Sequence, residues 1–386
     1  MLFRTWDFDE DRDFPAVAEV ADHVGVTHTV VSSHALVKRV LADPATFLPG
    51  NALDAMTPIP VSALRILIRY GFRLPPTLAN NGMPSHPGIR AITARALHPE
   101  RVEAVRPWLT DLVRDRVAGF TKRLESGESV DLYAELAADV PLLVLSRLVE
   151  LPEAAVDAVK DFSRAALELF WAPVDEPRQR ALADEVGRFH AVLRKFVKDA
   201  GGLVGELRDH AAAKGLPKDT PIGALFFLLV AGQETTSQFL TLLMHRLTRE
   251  RRVLDGLGDG SIAVDDVVEE GLRLTPPIPT WRRIAGQDTT LDGHAIPKGR
   301  SIVLWLARAG AQLAGPSFVP GQPGSRKHLA FGAGAHRCVG AQLSRMESAV
   351  IVGETFPLLR KATVVRAPWC PDNLSFRMPD AFTISF

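Results

Sequence analysis

The sequence predicts a mainly α-helical fold with a small β region, gathered into one large domain over residues 1–386. Three observations lead there. Apolar residues recur at helical spacing over Val102–Leu124, Asp131–Val149, Pro152–Phe170 and Arg178–Lys198, each run bounded by proline- or glycine-containing breaks. Strand patterns are confined to Thr27–Ser32 and to a strand-and-turn stretch between Ile278 and Gly299. No linker, low-complexity tract or internal repeat divides the chain, and 386 residues with 46% hydrophobic content suffice for one large core.

Composition removes several function classes. Lys plus Arg equals Asp plus Glu at 45 each, so no charge excess suggests a nucleic-acid binder or a protein held on anionic membranes. Two cysteines, Cys338 and Cys370, fit a reducing compartment and argue against a disulfide scaffold. Cys370 lies in a turn-like Ala-Pro-Trp-Cys-Pro context with no assigned role. The N-terminal Met-Leu-Phe-Arg-Thr-Trp-Asp-Phe-Asp-Glu-Asp is acidic and lacks a long apolar run. Neither a signal peptide nor a membrane anchor is expected there, and a soluble cytoplasmic protein follows.

In chain order, β-branched Thr27–Ser32 reads as a strand and Ser33–Leu41 as a helix that Asp43-Pro44 ends. Gly50–Asn81 mixes Pro58, Pro60, Pro75 and Pro76 with apolar residues and reads as helix-interrupted loop. Its Met56, Ile59, Leu64, Ile68 and Phe72 either line a pocket or pack ordinarily. His86 and Arg90 are four apart and share a helical face. Trp171-Ala-Pro-Val-Asp-Glu-Pro separates two of the predicted helices. Pro221–Arg246 is the most hydrophobic long segment, apolar on all sides through Leu225–Val230, and such a helix must be buried. Within it Gly232 is worth about 1 kcal/mol less than alanine, and Glu234 and Thr235 are expensive to bury without partners. Val264–Leu274 carries Glu270 and Arg273, three apart on one face, just before Pro276-Pro277.

The chemistry concentrates in His328-Leu-Ala-Phe-Gly-Ala-Gly-Ala-His-Arg-Cys338-Val-Gly340. Val339, Leu343, Met346, Val350 and Ile351 then recur at helical spacing, which puts Cys338 at or just before a helix N-terminus. Unpaired first-turn amides and the positive end of the helix dipole favour a thiolate there. Gly332, Gly334 and Gly340 permit positive φ or close approach to a flat ligand, and Phe331 can pack beside the sulfur. The alternative for an isolated cysteine is a small buried hydrophobe.

The stretch resembles the haem-ligand loop of the cytochrome P450 superfamily, Phe-Gly-x-Gly-x-His/Arg-x-Cys-x-Gly, matched by Phe331, Gly332, Gly334, His336, Cys338 and Gly340. The resemblance implies the cytochrome P450 fold, with Cys338 as proximal ligand of haem b (iron protoporphyrin IX), a thiolate that favours O–O cleavage. Ala231-Gly-Gln-Glu-Thr235 matches the family's oxygen-activation motif. It implies that Ala231 and Gly232 leave room for O2, that Thr235 hydrogen-bonds the oxygen held at iron, and that Glu234 relays protons. By the same resemblance Phe227, Val230, Ile278, Pro279 and Thr280 face substrate, and Glu270 with Arg273 forms the structural Glu-x-x-Arg pair. His86, Arg90, Arg283, His328 and His336 are expected to contact the haem, chiefly its propionates; Arg283-Ile-Ala285 fits the propionate register better than Arg282. One departure stands out: relatives carry Asn-Arg-Asp and a longer meander where this chain has Gly310–Lys327, and Arg326 is the only basic candidate near the position that completes a triad with Glu270 and Arg273.

The resemblance runs over nearly the whole chain and implies a soluble bacterial-type haem-thiolate monooxygenase that hydroxylates an organic substrate, small or carrier-protein-bound, in secondary metabolism. Electrons are expected from separate ferredoxin and ferredoxin reductase proteins, with Arg337, Arg345 and Lys361 as a candidate docking patch. Desaturation, oxidative coupling or peroxide-driven oxidation at the same haem, and a non-catalytic haem-binding module, are the alternatives. The intact Glu234-Thr235 pair argues against obligate peroxide use.

Overall fold

The computed structural model describes residues 14–151 and 156–386, so the acidic N-terminal stretch and the expected helix start at Pro152 lie outside the described residues. Strands β1 (Val17–Ala21) and β2 (Thr27–Val31) pair antiparallel and lead into helix α1 (His34–Ala42), strand β3 (Phe47–Leu48) and helix α2 (Val61–Arg69). Next come α3 (His86–Ala96), α4 (Pro99–Glu125), β4 (Val130–Asp131), α5 (Val140–Val149), α6 (Val156–Trp171), α7 (Glu176–Asp199) and α8 (Gly202–Ala213). Helices α9 (Thr220–Leu229), α10 (Thr235–Leu247), α11 (Arg251–Asp259) and α12 (Val264–Leu274) precede strands β5 (Thr280–Ala285), β6 (Thr289–Leu291), β7 (His294–Ile296) and β8 (Ser301–Trp305). The chain closes with α13 (Leu306–Ala311), α14 (Ala341–Leu359), β9 (Thr363–Arg366) and β10 (Thr383–Ser385).

The main sheet has the order β1-β2-β8-β5-β3, with β2 and β8 parallel and the other neighbours antiparallel. A large apolar core runs through the helices, and a smaller one fills the space between the sheet and α1. The expected helix over Asp131–Val149 is divided. Asp131 accepts the Tyr133 and Phe382 amides, which ties β4 to the C-terminal strand, and a π turn over Tyr133–Ala137 separates it from α5.

The apolar segment predicted over Pro221–Arg246 is α9 and α10, joined without a break through a π turn at Val230–Glu234. It threads the core, with Leu229, Leu240 and Met244 shut off from solvent. Helix α14 packs against α10 on one side and α4 on the other. On this seam Glu347 is fully buried, and neither of its carboxyl oxygens has a hydrogen-bond partner of good geometry. Burial pushes its pKa well above the ordinary value, an effect the Thr236 hydroxyl offsets only in part. The native state therefore keeps a proton that the unfolded chain releases above about pH 4.5, and stability falls as pH rises from there toward the folded-state pKa. Glu347→Gln is expected to flatten that slope and raise the denaturant midpoint at neutral pH. An unchanged slope in urea titrations across pH would assign the dependence elsewhere.

Candidate active site

One cavity receives residues from α3, α5, α9, α10, α12, β5 and the loop before α14. Cys338 faces it, three residues ahead of α14. The loop is fixed by its own backbone: the Cys338 amide donates to the Phe331 carbonyl at 2.8 Å and the Gly332 amide to the Leu329 carbonyl at 2.8 Å. Gly334 has φ +67°, and a Cβ there would stand 2.5 Å from the Leu41 carbonyl oxygen, so only glycine lets the loop lie against α1. Cys338 is exposed toward the cavity yet deep in the fold, and burial pushes its thiol up. The Gly340 amide and the charges of Arg90, Arg337 and Arg345 work the other way.

Across the cavity stand Phe227, Leu228, Ala231, Gly232, Thr235 and Thr236. A Cβ on Gly232 would meet Leu145 Cδ2 at 2.9 Å, so this glycine is needed for the approach of α5 as well as for space at the wall. The Thr235 hydroxyl donates to the Ala231 carbonyl at 2.6 Å, leaving its lone pairs to the cavity. Glu234 does not reach the wall. It is buried behind Thr235, accepts from Gln238 Nε2 at 3.1 Å, and burial pushes its pKa up, against the Arg164 charge and the Gln238 and Gln233 amides. Val230, expected to face substrate, does not line the cavity and is buried in the apolar core.

Three arginines, Arg90, Arg283 and Arg337, border the cavity. Alternation along β5 puts Trp281 and Arg283 on the cavity side and sends Thr280 and Arg282 to the other face. Arg282 bonds the Ala52 and Asp54 carbonyls, whereas the one hydrogen-bond partner of the Arg283 side chain among the described residues is the Arg282 carbonyl. Burial pulls both guanidiniums down to about 10, so both stay charged at neutral pH. Ile278 lines the cavity, but Pro279 and Thr280 do not: the Thr280 hydroxyl donates to the Leu374 carbonyl and the Pro279 carbonyl accepts the Ala307 amide.

Of the three histidines expected at the haem, His336 lines the cavity, whereas His86 and His328 stand off it. His336 reaches the cavity, but its Nε2 lies 2.8 Å from the Asn81 carbonyl and so carries the ring proton there. Its pKa is lowered by burial, so the ring is neutral and donates nothing to the cavity. His86 sits behind it, ring centroids 4.3 Å apart, off the wall; burial, then His336 and Arg90, bring its pKa to about 4. His328 is no cavity contact either: its Nε2 bonds Glu269 Oε2 at 3.1 Å and its Nδ1 accepts the Ala330 amide at 3.2 Å. Leu78, Ala79 and Trp281 line the cavity without having been singled out in the sequence. Met56, Ile59, Leu64, Ile68 and Phe72 do not line it, and Ile68 is 72% exposed.

Glu270 and Arg273 form a fully buried pair with two 2.8 Å bonds. Arg273 also donates to the Gly310, Gly315 and Ser317 carbonyls, while Glu270 Oε1 accepts the Val319 amide and Gln322 Nε2, each at 2.8 Å. The third place of the expected triad thus falls to Gln322 and main-chain groups, and Arg326 pairs with Asp266 on the surface. Of the expected docking charges, Arg337 is exposed at the border of the cavity, Lys361 is exposed and lies over Phe386, and Arg345 is half-buried and bound bidentate to Glu269.

A family model described as Cytochrome P450 matches residues 263–360, the stretch holding Glu270, Arg273 and the Cys338 loop. The fold matches that of cytochrome P450 CREJ, solved with (4-ethylphenyl) dihydrogen phosphate, at TM-score 0.89 and 26% identity, covering 100% of this chain and 96% of that one. The chain belongs to the cytochrome P450 family. It is 27% identical to erythromycin C-12 hydroxylase of Saccharopolyspora erythraea, over 89% of this chain and 85% of that protein. It is 28% identical to vitamin D3 dihydroxylase of Streptomyces griseolus, over 92% and 87%. It is a cytochrome P450 monooxygenase, of a family that works with haem, O2 and a redox partner. Among the described residues no helix is long and apolar enough to cross a membrane.

The residues fit a haem. Cys338 and the Arg90, Arg283 and Arg337 side chains share one cavity whose other lining is largely apolar, a donor set that would hold a flat apolar group bearing carboxylates. The buried Arg283 guanidinium, with one carbonyl partner, suits a group bearing carboxylates on an otherwise apolar body.

Proposed function

We propose that the protein is a haem-thiolate hydroxylase that inserts one oxygen atom from O2 into an apolar organic substrate, holds haem b through Cys338, and takes electrons from a separate ferredoxin and ferredoxin reductase. The observation that carries this reading is that Cys338 and the Ala231, Gly232 and Thr235 wall line one and the same cavity. Haem ligated by a thiolate supplies an electron-rich iron at which the O–O bond of reduced dioxygen breaks.

The chain's own residues do the rest. Arg90 and Arg283 are the carboxylate partners, with Arg337 beside them, and Phe331, Gly332 and Gly340 frame the sulfur. Thr235 gives its proton to the Ala231 carbonyl, so it accepts a hydrogen bond from a protonated oxygen in the cavity and steadies it. Burial raises the pKa of Glu234 and so favours its protonated form, which makes it the proton donor, passing its proton forward through water. Phe227, Ile278, Leu78, Ala79 and Trp281 carry no ionisable group, which selects an apolar substrate, free or held on a carrier protein. The hydroxylases among the relatives support hydroxylation over desaturation or coupling.

Turnover under isotopically heavy O2, with a substrate chosen by its high-spin shift, is expected to place one labelled atom in the product; unlabelled product would overturn hydroxylation. Thr235→Ala is expected to lower product formed per reducing equivalent by about tenfold or more, with O2 consumption continuing. Unchanged coupling in that variant would remove Thr235 from this role.

A further inference from the structure

Glu269 and Glu270 are adjacent on α12, yet they serve different segments. Glu270 holds the chain after α13, as described, whereas Glu269 turns to the loop that carries Cys338. Its Oε1 accepts Arg345 Nε at 2.5 Å, and its Oε2 accepts Arg345 Nη2 at 3.3 Å and His328 Nε2 at 3.1 Å. Side-chain exposure is 3% for Glu269, 2% for His328 and 26% for Arg345, so the cluster is largely withdrawn from water. Burial works against the Glu269 charge, but the bonds from His328 and Arg345 hold its pKa down to about 2, and it is a carboxylate at any working pH.

The bonding also fixes the histidine tautomer. Because Nδ1 accepts the Ala330 amide, the ring proton is on Nε2, facing the carboxylate. One face of the network therefore pins the main chain at Ala330. The other pins Phe331, whose ring lies under the Arg345 guanidinium at 4.5 Å and whose carbonyl receives the Cys338 amide. Residues 328–331 are held at a side chain, a ring and a carbonyl, and that carbonyl is the anchor of Cys338.

We propose that Glu269, His328 and Arg345 are positioning residues for Cys338, acting through Phe331: they hold the Phe331 carbonyl where it fixes the Cys338 backbone with its sulfur toward the cavity. The consequence for thiolate ligation rests on the haem-thiolate reading above; the consequence for the loop does not. Without the ion pair, the Phe331 ring loses its cover, the carbonyl loses its fixed direction, and the cysteine amide opens to solvent.

The test uses the full chain, with and without haem, and reads two quantities. In Arg345→Gln, hydrogen exchange at the Cys338 amide is expected to quicken by about tenfold, the size of one charge-assisted hydrogen bond, while exchange at Ile351 in the middle of α14 stays as in the parent. In the haem-loaded variant the reduced carbon monoxide adduct is expected to lose part of its red-shifted thiolate band. Glu269→Gln is expected to act in the same direction, and the double variant to be no worse than the more severe single one. Cys338 exchange that matches the parent, or that rises only in step with Ile351, overturns the proposal, as does an undiminished thiolate band. Should Arg345→Gln fail to fold, Arg345→Lys keeps the charge and loses the fork, and the same two outcomes decide. A parent that gives no thiolate band refutes the haem-thiolate reading instead, and the exchange arm still judges the clamp.

Discussion

Replacing Cys338 by alanine is expected to abolish the red-shifted band that the reduced protein gives with carbon monoxide, and with it all monooxygenase turnover, while the fold survives. The reason lies in how the loop is held. The bond that anchors this position runs from its backbone amide to the Phe331 carbonyl, and alanine retains it. The sulfur's own protein contact is the Gly340 amide, so removing it costs about 1 kcal/mol or less of stability. What disappears is the thiol that lines the same cavity as Ala231 and Thr235. Purification of Cys338→Ala followed by reduction and carbon monoxide binding checks this directly. A thiolate-type band that persists would refute the assignment.

Arg273→Ala is expected to destroy the fold rather than the chemistry. The guanidinium is fully buried and supports at once the Glu270 carboxylate, the Gly310 carbonyl at the end of α13 and the Gly315 and Ser317 carbonyls of the chain that follows. Its removal leaves a buried carboxylate whose remaining partners are the Val319 amide and Gln322. Breaking such a pair costs about 3–5 kcal/mol, a large part of the roughly 5–15 kcal/mol that separates folded from unfolded domains. Loss of soluble protein, or a fall of that size in urea stability, is the expected result. Gln322→Ala, which removes one neutral donor, is expected to cost about 1 kcal/mol. A variant of Arg273 as stable as the parent would mean that the segment after α13 holds its course without this pair.

The Cys338 loop, the Ala231–Thr235 run and the Glu270–Arg273 pair were legible in the sequence because each is a short contiguous pattern whose residue types are chemically demanding. What fills the third place beside Glu270 and Arg273 was not, since most of the partners are main-chain groups, which no side-chain pattern advertises. His328 and Arg345 were read as a haem contact and a docking charge because their common partner, Glu269, is 59 and 76 residues away in sequence. Trp281 was within reach: alternation along β5 from Arg283 puts it on the cavity side and excludes Thr280. Val230 was placed on the wall from its nearness in sequence to Ala231, although a single helical step turns it about 100° away, and His86 because a shared helical face with Arg90 does not reveal that His336 intervenes.

The π turn between α9 and α10 has a geometric consequence for the distal wall. The wall residues fall at Phe227 and Leu228, Ala231 and Gly232, Thr235 and Thr236, a ladder with rungs four residues apart. In a regular α-helix a step of four overshoots one revolution by about 40°, so two steps would rotate Thr235 about 80° away from the line through Phe227. The wider turn at Val230–Glu234 winds more slowly and returns part of that rotation. It works as a vernier between two scales: the end of the wall that meets substrate and the end that meets oxygen stay in phase, and all six residues border the same space.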